Sequence, residues 1–186
     1  SWVTPDLVPF FPRVYAGRIA MLGRNTNGYK KPDAVYFRFH TAQAVMFGQQ
    51  IGWTNADVVD DERKSDFLVR MCRLRWDTRE YYISGEMLRP PAVEGGEDYT
   101  SDSSMGRENM QTVSLAVASA WRGADGNVIV TAANASEHEA EVTLRFDPDE
   151  YPLPEGLTVY GEAAELCRGE GYVTLKIGGM SAVCFG

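Results

Sequence analysis

Apolar and polar positions alternate most regularly between Asp60 and Pro91, in DDERKSDFLVRMCRLRWDTREYYISGEMLRPP. Phe67, Met71, Leu74, Thr78 and Tyr81 recur at steps of four, three, four and three, with Leu68, Cys72 and Tyr82 beside them. That spacing draws one apolar stripe along a helix. Charge fills the opposite face, where Asp66 precedes Arg70 and Arg73 precedes Asp77 by one helical turn. Asp60 or Asp61 is placed to cap the start, where acidic side chains suit the positive end of the dipole. Gly85 is expected as a left-handed stop, and Pro90-Pro91 forbid continuation. The pattern predicts one helix of about 22 residues, roughly 33 Å long at 1.5 Å per residue. Its apolar face needs a partner of comparable length.

Upstream, the periodicity is weaker. Residues 1–34 mix Pro, Gly and aromatics, with short strand or helix pieces at Val14-Tyr15 and Ile19–Leu22 and a loop at Asn25–Pro32. VYFRFHTAQAVMFGQQIGW (Val35–Trp53) predicts a helix over about 35–46 and a short buried strand or turn near Met46–Ile51. Thr54 and Asp57 fit a capping box into the next helical region. Val93–Asn109 is polar and rich in Gly and Ser, and reads as a linker or long surface loop.

Beyond it the period changes to two. Strands are expected over Val113–Trp121, Asn127–Ala133, Ala140–Phe146, Leu157–Tyr160, Gly171–Ile177 and Ser181–Phe185, with a hairpin at Gly123–Asn127. Short, evenly spaced strands with Gly and Pro punctuation mean an antiparallel β-sandwich. The expected fold class is therefore α+β. A mainly helical segment (1–92) leads through a linker (93–110) to the sandwich (111–186).

Charge supports the division. Of 18 Lys+Arg and 26 Asp+Glu, the first 92 residues carry a balance of +3 and the rest −11, giving −8 overall. The acidic second half argues against a nucleic-acid partner or an anionic membrane. No apolar run reaches the roughly 18 residues of a membrane span. No signal peptide is visible, and the chain begins at Ser1, so a leader or upstream domain removed from the parent is compatible with it. The compartment stays open. Cys72, Cys167 and Cys184 have neither zinc nor disulfide spacing and are expected to be small buried thiols.

Several short phrases resemble the end of an α-galactosidase-like glycoside hydrolase. In the second half these are Trp121 followed by Asp125-Gly126-Asn127, then VIVTAANAS, AEVTLRF and the final SAVCFG. They resemble the β-sandwich that closes such enzymes. PFFPRVYAGR, FGQQIGW and the long helix ending YYISGEMLRPP resemble the last turns of the (β/α)8 barrel. The resemblance implies a C-terminal fragment whose sandwich supports a catalytic barrel. A complete barrel takes about 250 residues, so most of it would be an upstream segment of the parent or another chain. The implied partners are a carbohydrate and that barrel, with a homo-oligomer as a further possibility, and no cofactor.

Hydrolysis of a glycoside takes two carboxyls about 5–5.5 Å apart for retention, or about 6.5–9.5 Å for inversion. The resemblance places that pair on earlier strands, so none is expected here and the chain alone should be inactive. Asp57, Asp60 and Asp61 follow FGQQIGWTN and suit helix capping; Glu86 suits an exposed helix end. Tyr15 and Trp53 offer aromatic faces to a sugar ring, and Arg18, Gln49 and Gln50 offer hydrogen bonds to hydroxyls, although each taken alone is more simply structural and a Trp after an apolar run is usually core. His40 and His138 are the only histidines and have no metal-ligand spacing. There is no nucleophile elbow, P-loop, dinucleotide fingerprint or EF-hand spacing. A second reading is a carbohydrate-binding sandwich that presents Trp121, Tyr151, Tyr160 and Tyr172; a third is a structural module with an apolar patch on residues 1–55.

Overall fold

Residues 9–23, 34–102 and 110–186 are described by the computed structural model. The expected loop at Asn25–Pro32 and the tip of the polar excursion at 103–109 lie outside them. Four helices come first: α1 (Phe10–Tyr15), α2 (Ala34–Met46), α3 (Glu62–Asp77) and α4 (Arg79–Ser84), with a 3-10 turn at Ala56–Asp60. The strands are β1 (Glu86–Met87), β2 (Ala92–Gly95), β3 (Asp98–Asp102), β4 (Met110–Ser114), β5 (Ala116–Arg122), β6 (Val128–Asn134), β7 (Ala140–Arg145), β8 (Thr158–Tyr160), β9 (Ala163–Gly169), β10 (Tyr172–Ile177) and β11 (Ser181–Phe185).

Two antiparallel sheets face each other, one ordered β1-β5-β6-β11-β8 and the other β2-β7-β10-β9; β3 and β4 form a separate ribbon. The fold is thus α+β with a sandwich. The helices add a third layer over the outer face of the five-stranded sheet. Alternation along each strand sorts the side chains. Ala118, Ala120, Val130, Ala132, Val183 and Phe185 point between the sheets, towards Val142, Leu144, Val173 and Leu175. Trp121, Ile129, Ala133, Ala182 and Cys184 point the other way, into a core with Phe39, Val45, Met46, Phe67, Met71 and Leu74. A sheet covered on both faces needs apolar residues throughout. That is why VIVTAA and SAVCF read as nearly continuous apolar runs, broken only by the buried Thr131 and Ser181.

The stripe on α3 therefore finds its partner within the chain. Phe67, Met71 and Leu74 are fully buried against α2 and the sheet. Asp61 caps α3, its carboxylate accepting from the Lys64 amide at 3.2 Å. The expected single long helix breaks at Thr78, whose φ of −100° and ψ of 11° leave the helical region. The Thr78 hydroxyl and amide both bond back to the Leu74 carbonyl, so the side chain competes for the backbone acceptor. Gly85 is not left-handed either, with φ −92° and ψ −174°. It is required because a Cβ there would lie 2.3 Å from the Tyr81 carbonyl oxygen and 2.5 Å from that of Arg122. The cap proposed at Thr54 is displaced to Asn55, which makes no side-chain cap bond.

Two further expectations change. Residues 92–95 and 98–102, taken as linker or surface loop, are strands: β2 pairs with β7 and β3 with β4. Cys72 and Cys167 are exposed, and only Cys184 is buried.

Candidate functional site

The N-terminal segment contains a small parallel element. Leu22 bridges Gln50 in parallel, with Gln50 N donating to Met21 O at 2.8 Å and Gly23 N donating to Gln50 O at 2.7 Å. The helix α2 lies between these two stretches in the chain. The contact is a single parallel bridge outside the named strands, and α3 follows as the next helix. The strand expected near Met46–Ile51 is reduced to this single bridge. Gly23 allows the close approach, because a Cβ there would sit 2.6 Å from Gln50 O.

The five residues considered for sugar contact fall into two groups. Gln49, Gln50 and Trp53 lie on and just after the second parallel stretch; Gln50 is exposed and Trp53 is 73% exposed. Tyr15 ends α1 and Arg18 lies in the turn after it, both exposed. Tyr15 packs against Phe11 with ring centroids 4.7 Å apart and the rings tilted by 40°, and Gly17 of the following turn abuts the Ser84–Gly85 backbone. Asp57 and Asp60 are exposed on the 3-10 turn. Hydrogen bonding from the Lys64 amide holds the Asp61 carboxyl below its ordinary range, outweighing desolvation. A carboxyl whose ionised form is favoured by its cap bond is poorly suited to act as a general acid.

Of the sandwich aromatics, Trp121, Tyr151 and Tyr160 are buried and Tyr172 is half-buried. Trp121 touches Tyr82 of α4 edge to face at 5.0 Å, and its indole N–H donates to the Met46 carbonyl at 3.1 Å. The Tyr160 hydroxyl donates to Asp77 of α3 at 3.0 Å. Tyr172 lies across Gly169, with Arg145 5.7 Å from its ring centre. Two of the four thus join the sheet to the helices. His40 is buried within α2 and His138 is exposed; among the described residues no group of His, Cys, Asp or Glu is arranged to hold a metal.

The structure also assembles a cleft with no trace in the sequence pattern. It has a volume of about 390 Å³ and lies where α1, the 88–91 segment, the end of β5 and the turn before Tyr151 converge. Arg13, Arg89 and Arg122 line it together with Glu150, from four separated stretches of chain. Glu86 lies within 3.0 Å of Arg13 and 3.7 Å of Arg122, and Glu150 within 3.7 Å of Arg89. Arg13 also donates to the Met87 carbonyl. None of the five sugar-contact candidates lines this cleft or the second one beside Tyr81 and Asn127.

Comparison with known proteins finds no matching family model, no matching curated protein and no matching solved structure.

Proposed function

We propose that the chain is the C-terminal part of a carbohydrate-active glycoside hydrolase, its sandwich bracing a catalytic barrel of the α-galactosidase-like kind. One observation carries this reading: the parallel pairing of Met21–Gly23 with Gln50 around α2, followed by α3. An antiparallel sandwich has no need of a parallel bridge across a helix, whereas parallel pairing across helices is what builds a (β/α)8 barrel. Trp53, Leu22 and Ile19 are 73%, 64% and 48% exposed in the same N-terminal segment, apolar side chains that earlier strands of a parent protein would cover. Trp53 follows the carboxyl end of the second stretch, the end at which barrel enzymes place their substrates. Burial of Trp121 and Tyr160 against the helices favours the brace over a binding platform.

The test is hydrolysis of a panel of aryl glycosides by the parent polypeptide and by this chain alone. The parent is expected to turn over at least one substrate and the isolated chain none. Inactivity of the parent on every substrate would remove the reading. So would activity of the isolated chain that Asp61→Asn abolishes, because the catalytic pair is placed elsewhere.

A further inference from the structure

We propose that the arginine cleft binds an acidic sugar, a uronate, through its carboxylate. Three guanidinium groups and two carboxylates (Glu86 and Glu150) meet there. The locality carries one net positive charge in a chain of net charge −8. Such an island draws anions, and guanidinium forks match a carboxylate two bonds at a time. One surplus charge suits a monoanionic carboxylate better than a dianionic phosphate.

The internal pairs leave donors free. Both carboxylate contacts at 3.7 Å are beyond hydrogen-bond reach. The Arg89 side chain is 76% exposed, so it is able to turn onto a ligand. The remainder of the cleft is apolar. Leu88 and Tyr151 are buried in its floor, Pro9 and Pro90 line it, and Phe10 stands 69% exposed at its edge. A sugar ring presents a C–H face to an aromatic ring while its carboxylate reaches the arginines. The volume of about 390 Å³ lies at the small end of ligand sites, which fits one or two sugar rings rather than a long glycan. The anion site stands on its own geometry; the choice of a sugar as the carrier rests on the carbohydrate reading above.

Titration calorimetry on the full chain would compare galacturonate and glucuronate with neutral galactose and glucose, and with acetate and inorganic phosphate. A uronate should bind about tenfold or more tightly than its neutral parent, with affinity falling as salt rises. Arg89→Gln should weaken it about tenfold, and Arg89→Lys by less, because the charge stays while the fork is lost. Arg89 is exposed, so unchanged melting of both variants is expected and would separate binding from folding. Equal binding of neutral and acidic sugars, tighter binding of phosphate, no binding of any uronate, or indifference to Arg89→Gln would each overturn the proposal. Acetate binding as tightly as a uronate would also overturn it, and would trace the failure to the carbohydrate reading rather than to the anion site.

Discussion

Trp121→Phe is the substitution that most directly probes how the two halves of the chain are joined. The indole N–H donates to the carbonyl of Met46, the last residue of α2, and to the Ser119 hydroxyl, each at 3.1 Å. A helix ends with carbonyls that have no partner inside it, and here a strand residue supplies one. Phenylalanine keeps the six-membered ring but removes the donor, leaving a buried carbonyl unsatisfied at a cost of about 1–3 kcal/mol. The smaller side chain also opens space beside Gly48, where a glycine Cβ would lie only 2.6 Å from the indole. Losing one or two buried carbon groups adds about 0.8 kcal/mol each. The expected total is about 2–4 kcal/mol, measured as a lower midpoint in urea with the slope of the transition unchanged. A loss below about 0.5 kcal/mol would refute the argument, since a surface substitution does as much. An altered slope with normal stability would refute the two-state reasoning behind it.

Met71→Ala, at a fully buried position facing α2 and the sheet, should cost about 2–5 kcal/mol in the same assay; a negligible loss would mean that α3 packs through another face. Asp61→Ala removes the α3 cap and should cost about 0.5–2 kcal/mol. Because the Asp61 carboxyl titrates below its unfolded value of 3.8, its contribution is present above that pH and fades as the pH falls through it, so the difference between variant and parent should shrink in acid. At the alkaline end, burial pushes the Tyr82 phenol and the Cys184 thiol up to about 12. Burial also raises Tyr151 and Tyr160, the latter further through Asp77. Each such group favours the folded state below its unfolded value (9.0 for the thiol, 10.0 for the phenols) and loses that contribution as the pH climbs to its folded one. Chemical denaturation between pH 8 and 11 should therefore show stability declining from about pH 9, and a flat profile would contradict the burial of these side chains.

The sequence exposes features that depend on one element and conceals those that depend on two. The apolar face of α3, its Asp61 cap and the hairpin at Gly123–Asn127 are local patterns and appear where expected. The strand β9, residues AAELCRG, was not expected because it is an edge strand with mostly exposed side chains, so no alternation marks it. The strands β2 (AVEG) and β3 (DYTSD) are short and carry acidic residues, and they are strands because β7 and β4 offer them backbone partners. The central role of α2 is concealed for the opposite reason. It is buried on nearly all sides, even at Arg38, which donates to the Ala135 carbonyl and pairs with Glu137. A helix with no polar face gives no moment to read. Of the candidate sites, Trp53 and Gln50 were visible as residue types after an apolar run. The cleft of Arg13, Arg89 and Arg122 was not, because only the folded chain brings those positions together.

The five-stranded sheet serves two cores at once, and this settles how the molecule can be divided. Cutting the chain near residue 92, where the charge balance changes sign, would strip the helices from Trp121, Ile129, Ala133 and Cys184. The freed sandwich would carry one bare apolar wall, and the freed helices another. Expression of either piece alone should therefore give aggregated material.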